Sequence, residues 1–275
     1  TFNKWLYIAR YWCMKIDGKK IAEEIVEKLK KLESPKKILA AVLIGENPQS
    51  KSFLAQKKKT ADELGVDFRV YKLSEDLKSD GLRKEIGRIG KLGRVGGIIV
   101  QLPLPHGINT RYVLNAILPE KDIDVLSERS GNKVLAPAVE VVKEIFEREG
   151  LKPKDLKIVV VGAGKLVGGP ISEWLKGKWK KLDLIDEGGK TDPIKNADVI
   201  ITGVGKAGLI NPDELKNGVA VIDFGYSYNG KLSGDLVVDD ENGLNKLKFY
   251  TPTPGGTGPI LVAKLFENFY KLCGF

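Results

Sequence analysis

The sequence is poor in the residue types that build metal centres and disulfide frameworks. Two cysteines, Cys13 and Cys273, and one histidine, His106, occur in 275 residues. Two cysteines cannot form a disulfide framework or a multi-cysteine metal site, and a single histidine cannot form a two-histidine site. We therefore expect no bound metal, and for His106 a loop-capping role is favoured over catalysis.

Long hydrophobic runs are also missing. No apolar stretch approaches the roughly 20 residues that a helix needs to cross a bilayer, so no membrane partner is expected. The low cysteine content fits a reducing cytoplasm. The hydrophobic fraction of 42% and the charged fraction of 29% are those of a globular chain, which excludes disorder as the main state.

The net charge of +9 raises the question of a nucleic-acid partner. The lysines are scattered over predicted helix faces and alternate with Glu23, Glu24 and Glu27, which is typical of solvated, ion-paired helices. A basic tail and a basic stripe with interleaved aromatic residues are both missing. We therefore expect no nucleic-acid partner, and the positive field suits an anionic small substrate instead.

Strand and helix patterns alternate along the first half of the chain. Ile38–Ile44 is a continuous apolar run of the kind that is buried on both faces of a parallel sheet. Gly97–Val100 is a further strand pattern. This alternation predicts an α/β domain with a parallel sheet over residues 14–138, completed by a C-terminal helix over residues 260–275. Residues 1–13 lack the pattern, which begins at Met14, and we expect them to be an extension outside the fold.

A second α/β pattern occupies residues 139–259. It has four strand patterns with the spacing of βαβ units, at Ile158–Val161, Leu182–Asp186, Val199–Thr202 and Val219–Asp223. This half therefore predicts a Rossmann-like dinucleotide-binding domain. With the first domain it makes a two-domain α/β fold.

A glycine-rich turn opens the second domain. Gly162, Gly164 and Gly168 follow a strand pattern and begin a helix pattern, although their spacing is G-x-G-x-x-x-G. Glycines there let backbone N–H groups approach a pyrophosphate, which the helix N-terminus also favours. Asp186 lies at the end of the second strand pattern, where a carboxylate can bind the adenosine ribose hydroxyls. A plain tight turn is the alternative, and dinucleotide binding is favoured over it.

One residue of the first domain, Lys57, could carry proton transfer. Lys57 lies on a predicted helix, and a lysine near other cations and apolar surface can have a lowered pKa. Taken alone, the triplet Lys57–Lys59 would be read as a solvated helix face. Gln101 directly follows a strand pattern, at the edge where open α/β sheets bind ligands. This position favours a functional role for Lys57 over the solvated helix face.

Several motifs of the chain together resemble one enzyme family. They are GENPQSKSFLAQK at Gly45–Lys57, GIIVQLPLP at Gly97–Pro105, PEKDID at Pro119–Asp124, VVGAGKLVGGP at Val160–Pro170 and TPTPGGTGP at Thr251–Pro259. In this order they are similar to the bifunctional methylenetetrahydrofolate dehydrogenase/methenyltetrahydrofolate cyclohydrolase family. The resemblance implies oxidation of 5,10-methylenetetrahydrofolate with NADP or NAD, and hydrolysis of the product to 10-formyltetrahydrofolate. It also implies a homodimer, and an active site in the cleft between the two domains.

The resemblance also implies residue roles. Lys57 matches the lysine of the cyclohydrolase step, Gln101 the glutamine that tunes it, and Asp124 the aspartate that anchors the pterin ring. These three are the predicted catalytic residues. The predicted substrate-binding residues are Ser50, Phe53, Pro103, Pro254, Gly255 and Gly256. The predicted cofactor-binding residues are Gly162, Ala163, Gly164, Lys165, Val167, Gly168, Asp186, Lys190, Thr191, Thr202 and Gly203.

The chain departs from the family pattern at four places. Phe53 stands where the family has a tyrosine, and Val125 follows Asp124 where the family usually has glycine. Ala163 and Gly164 replace an arginine and a serine of the glycine turn, and that arginine assists 2′-phosphate binding in NADP-dependent members. We therefore expect that NAD is accepted, with weak discrimination against NADP.

Two other functions are compatible with parts of the sequence. Another two-domain dehydrogenase, of the shikimate or amino-acid type, would leave QLPLP and PTPGGTGP unexplained. A non-catalytic dinucleotide-sensing protein would need only the second domain, and Lys57 and Gln101 argue against it. The folate dehydrogenase/cyclohydrolase reading accounts for all of these motifs.

Overall fold

The computed structural model describes residues 13–129, 133–177, 181–186, 189, 192–238 and 243–275. Its strands are, in chain order, β1 Met14–Lys15, β2 Ile38–Ile44, β3 Phe68–Leu73, β4 Val95–Val100, β5 Lys157–Val161, β6 Lys181–Ile185, β7 Val199–Thr202, β8 Ala220–Asp223, β9 Ser227–Asn229, β10 Lys231–Ser233 and β11 Phe249–Tyr250. Its α-helices are α1 Gly18–Lys30, α2 Pro48–Glu63, α3 Ser79–Gly90, α4 Thr110–Leu114, α5 Pro137–Arg148, α6 Gly168–Leu175, α7 Asp192–Lys195 and α8 Thr257–Leu272.

The chain divides into two compact units. One comprises Lys19–Ile145 and Pro259–Phe275, and we call it the lysine unit because it contains Lys57. The other comprises Phe146–Gly258 together with Gly18 and the described residues before it, and we call it the glycine-turn unit. The predicted two-domain α/β fold is therefore confirmed.

The lysine unit has a three-stranded parallel sheet in the order β3-β2-β4. All seven residues of the central strand β2 are buried, because both faces of a parallel sheet are covered by helices. Apolar residues of α3, such as Ile86 and Ile89, pack in the core cluster that lies against β2 and β4. The strand β4 ends at Val100, so that Gln101 stands at the carboxyl edge of this sheet.

The glycine-turn unit has a six-stranded sheet in the order β1-β11-β8-β7-β5-β6, with every pairing parallel. The strands β6 and β7 lie on opposite sides of β5, although both follow it in sequence. The strand order therefore reverses beside β5. Open α/β sheets bind ligands at the carboxyl edge next to such a reversal.

The unit boundaries differ from the predicted domain limits at three places, the smallest being Pro259, which belongs to the lysine unit. Met14–Lys15 was expected in the first domain, but β1 pairs with β11 and belongs to the glycine-turn unit. The boundary expected at residue 138 lies inside α5, and the units divide after Ile145. A strand pairing and a helix that continues between units cannot be read from local patterns.

The expected N-terminal extension is described at one residue. Cys13 is partly buried and packs against the hydrophobic core of the glycine-turn unit, so the fold includes it. Residues 1–12 of this extension lie outside the described residues. Within the described ranges, no helix is long and apolar enough to cross a membrane.

Candidate active site

Lys57 lies on the buried face of α2. The side chains of Ser50, Leu54, Lys57 and Ala61 share this face because they are spaced three or four residues apart. Lys57 is 9% exposed, whereas the next two lysines of the triplet are exposed. Burial lowers the pKa of Lys57, and the charge of Asp124 opposes this shift. The lysine is therefore prepared to exchange a proton nearer to neutral pH than an exposed lysine would be.

Gln101 holds the amine of Lys57. The Nζ atom of Lys57 donates a hydrogen bond to Oε1 of Gln101 at 3.0 Å. The Nε2 atom of Gln101 donates to the carbonyl of Leu102 at 2.8 Å, which fixes the amide orientation. Gln101 is 7% exposed, and its backbone N–H is bound to the carbonyl of Val42. The structure thus joins the two residues that the sequence analysis singled out together.

Asp124 belongs to the same electrostatic group. Burial raises the pKa of Asp124 to about 6; the positive charge of Lys57 lowers it, and the negative charge of Asp122 raises it further. The carboxyl group of Asp124 is therefore ionised at neutral pH and close to protonation at slightly acidic pH. Lys57 and Gln101 are thus buried and hydrogen-bonded to each other in the lysine unit, and the half-buried Asp124 interacts with Lys57 through its charge.

Ser50 leaves a buried polar atom without a partner. Its side chain is 2% exposed, and its Oγ atom makes no hydrogen bond within the part of the chain that the structure describes. A buried hydroxyl without a partner costs free energy unless a ligand completes it. Because Ser50 shares the buried face of α2 with Lys57, this atom marks the same region as suited to a polar ligand. Phe53 is half-buried, and Pro103 is exposed.

Two residues that the sequence analysis missed hold the turn that carries Asp124. The buried carboxylate of Asp122 accepts hydrogen bonds from the N–H groups of Leu126 at 3.1 Å and Ser127 at 2.7 Å. The fully buried Asn268 donates to the carbonyls of Ile123 at 2.9 Å and Leu135 at 2.8 Å. Asn268 is distant in sequence, so no local signal could reveal its part.

The same turn contains a strained residue. Val125 has a φ angle of 56°, and it is the one non-glycine residue with a positive φ in the described part of the chain. A β-branched side chain is disfavoured in this conformation. This strain explains why glycine suits the position at which the chain departs from the family pattern with Val125.

Val125→Gly is expected to stabilise the protein. Relief of left-handed strain of about 1–2 kcal/mol exceeds the entropic cost of glycine, about 0.5–1 kcal/mol. Denaturant unfolding should therefore show a higher free energy of unfolding by about 1 kcal/mol. Val70→Gly is the control, because Val70 is 43% exposed in β3 and this change should destabilise. A loss of stability in Val125→Gly would contradict the assignment of strain.

The glycine turn is shaped for close backbone approach. Gly162 has a φ angle of 89°, and a Cβ atom at Gly168 would lie 1.7 Å from the carbonyl oxygen of Gly162. A Cβ atom at Gly203 would lie 2.7 Å from a methyl group of Val167. At Gly164 nothing lies within 4 Å of a Cβ position, so this glycine faces open space. The turn thus has two glycines packed against backbone or side chain and one facing outward, as a phosphate cradle requires.

Asp186 stands opposite this turn. It is exposed just after β6, and its Oδ1 atom accepts a hydrogen bond from the N–H group of Ala163 at 3.4 Å. The carboxylate is thereby brought to the first residues of the turn, where an adenosine ribose would lie. Lys165 is exposed. Lys190 and Thr191, which were also expected to bind cofactor, lie outside the described residues.

The remaining predicted residues lie at the carboxyl edge of the same sheet. Thr202 is fully buried, and its hydroxyl donates to Asp235 at 2.6 Å. The loop of Pro254, Gly255 and Gly256 follows β11, and the N–H group of Gly256 donates to the carbonyl of Pro252.

His106 is exposed, and no cluster of metal-ligating side chains occurs among the described residues.

Comparison with known proteins identifies both parts of the chain. Residues 16–124 match the family model of the tetrahydrofolate dehydrogenase/cyclohydrolase catalytic domain. Residues 137–274 match that of the tetrahydrofolate dehydrogenase/cyclohydrolase NAD(P)-binding domain. The segment between the two matched ranges includes the strained Val125.

Whole proteins of the same kind are similar over nearly their full length. The chain is 35% identical to the bifunctional protein FolD of Nautilia profundicola, with 93% of this chain and 95% of the relative covered. It is 34% identical to the bifunctional protein FolD of Moorella thermoacetica, with coverages of 92% and 96%. The crystal structure of the bifunctional FolD enzyme from Campylobacter jejuni superposes with a TM-score of 0.85 at 30% identity, covering 94% of this chain and 97% of that one. The chain therefore belongs to the tetrahydrofolate dehydrogenase/cyclohydrolase family.

Proposed function

We propose that the chain oxidises 5,10-methylenetetrahydrofolate to 5,10-methenyltetrahydrofolate with NAD(P), and hydrolyses the product to 10-formyltetrahydrofolate. The observation that carries this proposal is the buried pair of Lys57 and Gln101 beside Asp124. A proton-exchange group of this kind has no use in a protein that only senses a dinucleotide. The family relationship supports both activities.

Lys57 performs the proton transfers of the hydrolytic step. Its lowered pKa raises the neutral fraction of the amine, which can accept a proton from water that adds to the methenyl carbon. Gln101 keeps Nζ in one position through its 3.0 Å hydrogen bond. The protonated amine can then give this proton to the ring nitrogen as the C–N bond breaks, and the hydroxyl proton of the adduct is released to solvent as the formyl C=O bond forms.

Asp124 orients the substrate. An ionised carboxylate can accept two hydrogen bonds from the aminopyrimidine edge of a pterin, in a bidentate arrangement that fixes the ring plane. Ser50, with its unpaired buried Oγ atom, offers a further polar contact on the α2 face. Phe53 contributes an aromatic ring without the hydroxyl of the family tyrosine, so stacking is its only contribution.

The glycine-turn unit binds the dinucleotide. Gly162, Gly164 and Gly168 fit a pyrophosphate, since two of them allow close packing and one opens outward. When bound, the nicotinamide accepts the hydride that leaves the methylene bridge. The chain contributes proximity and orientation to this step rather than acid–base chemistry.

The Asp124→Asn variant is expected to be more stable than wild type at pH 7 but to bind folate more weakly. Because the pKa of Asp124 is raised from 3.8 to about 6, its charge costs stability that grows as the pH rises from about 4 to 6 and is fully present above pH 6. The asparagine variant should therefore unfold at a higher temperature than wild type at pH 7, with a much smaller difference at pH 4. It should at the same time bind folate more weakly at pH 7. Equal melting temperatures at pH 7 would contradict the buried setting of this carboxyl group.

The direct test of function is a pair of absorbance assays on the full chain. Formation of reduced cofactor from methylenetetrahydrofolate reports the oxidation, and decay of the methenyl absorbance reports the hydrolysis. Shikimate and common amino acids serve as alternative substrates. Turnover with one of these and not with folate would establish the other type of dehydrogenase, and binding without any turnover would establish a sensor.

Cofactor preference follows from the charge beside the glycine turn. Asp186 lies where a 2′-phosphate would approach, and two like charges 4 Å apart repel by about 1 kcal/mol even at the dielectric of water. NAD is therefore expected to be accepted, with weak discrimination against NADP. Asp186→Ser should shift the ratio of kcat/KM values toward NADP. A wild-type preference for NADP of about a hundredfold, or ~2.7 kcal/mol, would show that this carboxylate points away from the phosphate.

We further infer a homodimer and a cytoplasmic location. The homodimer rests on the family relationship, and the location on the low cysteine content of the chain. Light scattering of the purified chain measures the first, and fractionation of the source cells measures the second.

A further inference from the structure

Two buried carboxylates lie at the carboxyl edge of the six-stranded sheet, and neither belongs to the predicted site. Asp235 is 0% exposed and Asp223 is 2% exposed. Burying a carboxylate is costly unless hydrogen bonds satisfy it, and apolar residues of similar volume are often as stable. The groups to which these two carboxylates are hydrogen-bonded therefore indicate why carboxylates, and not apolar side chains, occupy these positions.

Asp235 clamps the loop that follows β7. Its Oδ2 atom accepts hydrogen bonds from the hydroxyl of Thr202 at 2.6 Å and from the N–H group of Val204 at 2.8 Å. Its Oδ1 atom accepts from the N–H group of Lys206 at 2.8 Å. One side chain thus fixes three points of the five-residue segment from Thr202, the last residue of β7, to Lys206, which we call the Thr202–Lys206 loop.

Asp223 ties a second loop to the same place. Its Oδ1 atom accepts from the N–H group of Gly225 at 2.6 Å, and its Oδ2 atom accepts from that of Leu236 at 2.9 Å, next to Asp235. Its backbone carbonyl accepts from the hydroxyl of Thr257 at 2.8 Å. The segment that ends at Thr257 includes the predicted loop of Pro254–Gly256.

Two glycines show how tightly the carboxylates are enclosed. A Cβ atom at Gly225 would lie 2.3 Å from Oδ1 of Asp235, and one at Gly234 would lie 2.1 Å from Oδ2 of Asp223. Burial, together with the nearby charge of Asp235, raises the pKa of Asp223 to about 6. The carboxyl group of Asp223 is therefore tightly enclosed beside Asp235, and its ionisation costs stability.

The clamped loop borders the glycine turn. A Cβ atom at Gly203 would lie 2.7 Å from Val167, and one at Gly162 would lie 3.0 Å from Val204. A dinucleotide that places its adenosine half on the β5–β6 side, near Asp186, extends its other half across the ends of β7 and β8. The Thr202–Lys206 loop lies on that second side.

We propose that Asp235, supported by Asp223, is a positioning residue that sets the Thr202–Lys206 loop for the nicotinamide half of the dinucleotide. The proposal rests on the proposed function, since it requires that a dinucleotide binds at this sheet edge. Asp235 acts through the backbone of the loop and does not itself contact the ligand. No other described side chain accepts a hydrogen bond from the N–H groups of both Val204 and Lys206.

Asp235→Asn tests this inference. An amide has one acceptor oxygen, and its NH2 group must face the N–H group of either Val204 or Lys206. One of these two backbone hydrogen bonds is therefore lost. We expect the dissociation constant for NAD or NADP, whichever binds more tightly, to rise by about tenfold. The dissociation constant for ADP, which has no nicotinamide half, should stay within about twofold of wild type.

Asp198→Asn is the matched control. Asp198 precedes β7 at the opposite end of the strand, where its carboxylate accepts from the N–H group of Lys157 at 2.7 Å. Its loss should lower the melting temperature without changing the ratio of the two dissociation constants. If Asp235→Asn does not fold, Thr202→Val replaces it. This change removes the hydroxyl that orients the carboxylate of Asp235 but keeps both N–H bonds, so it should raise the dinucleotide constant selectively and by a smaller factor; because Thr202 is fully buried, no contact with the ligand is lost.

The outcomes separate the inference from the function on which it rests. If wild type binds neither ADP nor a dinucleotide, the proposed function is wrong. If wild type binds both, and Asp235→Asn or Thr202→Val leaves the ratio unchanged or weakens both ligands equally, the positioning role of Asp235 is wrong. A selective loss of dinucleotide affinity that Asp198→Asn does not share supports it.

Discussion

Lys57→Met is expected to reduce hydrolysis of methenyltetrahydrofolate by a factor on the order of 10²–10⁴, the usual contribution of a positioned acid–base group. Methionine has nearly the shape of lysine but cannot carry a proton. Methionine removes a charge that burial disfavours, but it also takes the donor from Oε1 of Gln101 and the counter-charge from Asp124, so the melting temperature of the variant is measured beside its activity and must stay close to that of wild type. The loss of activity can then be assigned to chemistry rather than to unfolding.

The lysine triplet itself supplies the control. Lys58 and Lys59 are exposed on the same helix, and Lys58 pairs with Asp62 at the surface. Lys58→Met and Lys59→Met make the same chemical change without touching Gln101, and hydrolysis should stay near the wild-type rate. The dissociation constant for the dinucleotide should be unchanged in all three variants, because the glycine turn belongs to the other unit. Hydrolysis that survives in Lys57→Met would remove this lysine from the mechanism.

Gly168→Ala is expected to have the largest effect on the glycine-turn unit. The new methyl group would lie 1.7 Å from the carbonyl oxygen of Gly162, and backbone on both sides must move to admit it. Overpacking typically costs about 1–3 kcal/mol, and the close approach to backbone places Gly168→Ala at the upper end of this range. Thermal unfolding should therefore begin at a clearly lower temperature, and dinucleotide affinity should fall because the turn loses its shape.

Alanine substitutions at two other glycines are the controls for Gly168→Ala. Gly87 lies inside α3 with nothing within 4 Å of its Cβ position, so Gly87→Ala should stabilise the protein by about 0.5–1 kcal/mol. Gly164→Ala also meets no protein atom, and should leave stability intact while weakening the dinucleotide, since the methyl group enters the ligand's space. If Gly168→Ala were as stable as wild type, the close packing of the turn would be refuted.

The fold could be predicted from the sequence because its signals are local. The continuous apolar run Ile38–Ile44 predicts a strand buried on both faces, and β2 occupies those residues with all of them buried. The glycine turn lies between β5 and α6 as its motif predicts. The strand limits differ from the predicted ones by a few residues, as at β4, which begins at Val95 instead of Gly97.

The sequence by itself determined the alternating α/β pattern, the glycine turn and the family to which the chain belongs. Each depends on residues that are close together in the chain or on motifs that are recognised as they stand. The pairing of β1 with β11 and the hydrogen bond from Lys57 to Gln101 were decided only by the tertiary structure. So were the clamp of Asp235 on the loop after β7 and the hold of Asn268 on the Asp124 turn. The reason is physical: burial and hydrogen-bond partners set the pKa and the cost of a polar group, and residues far apart in sequence supply them.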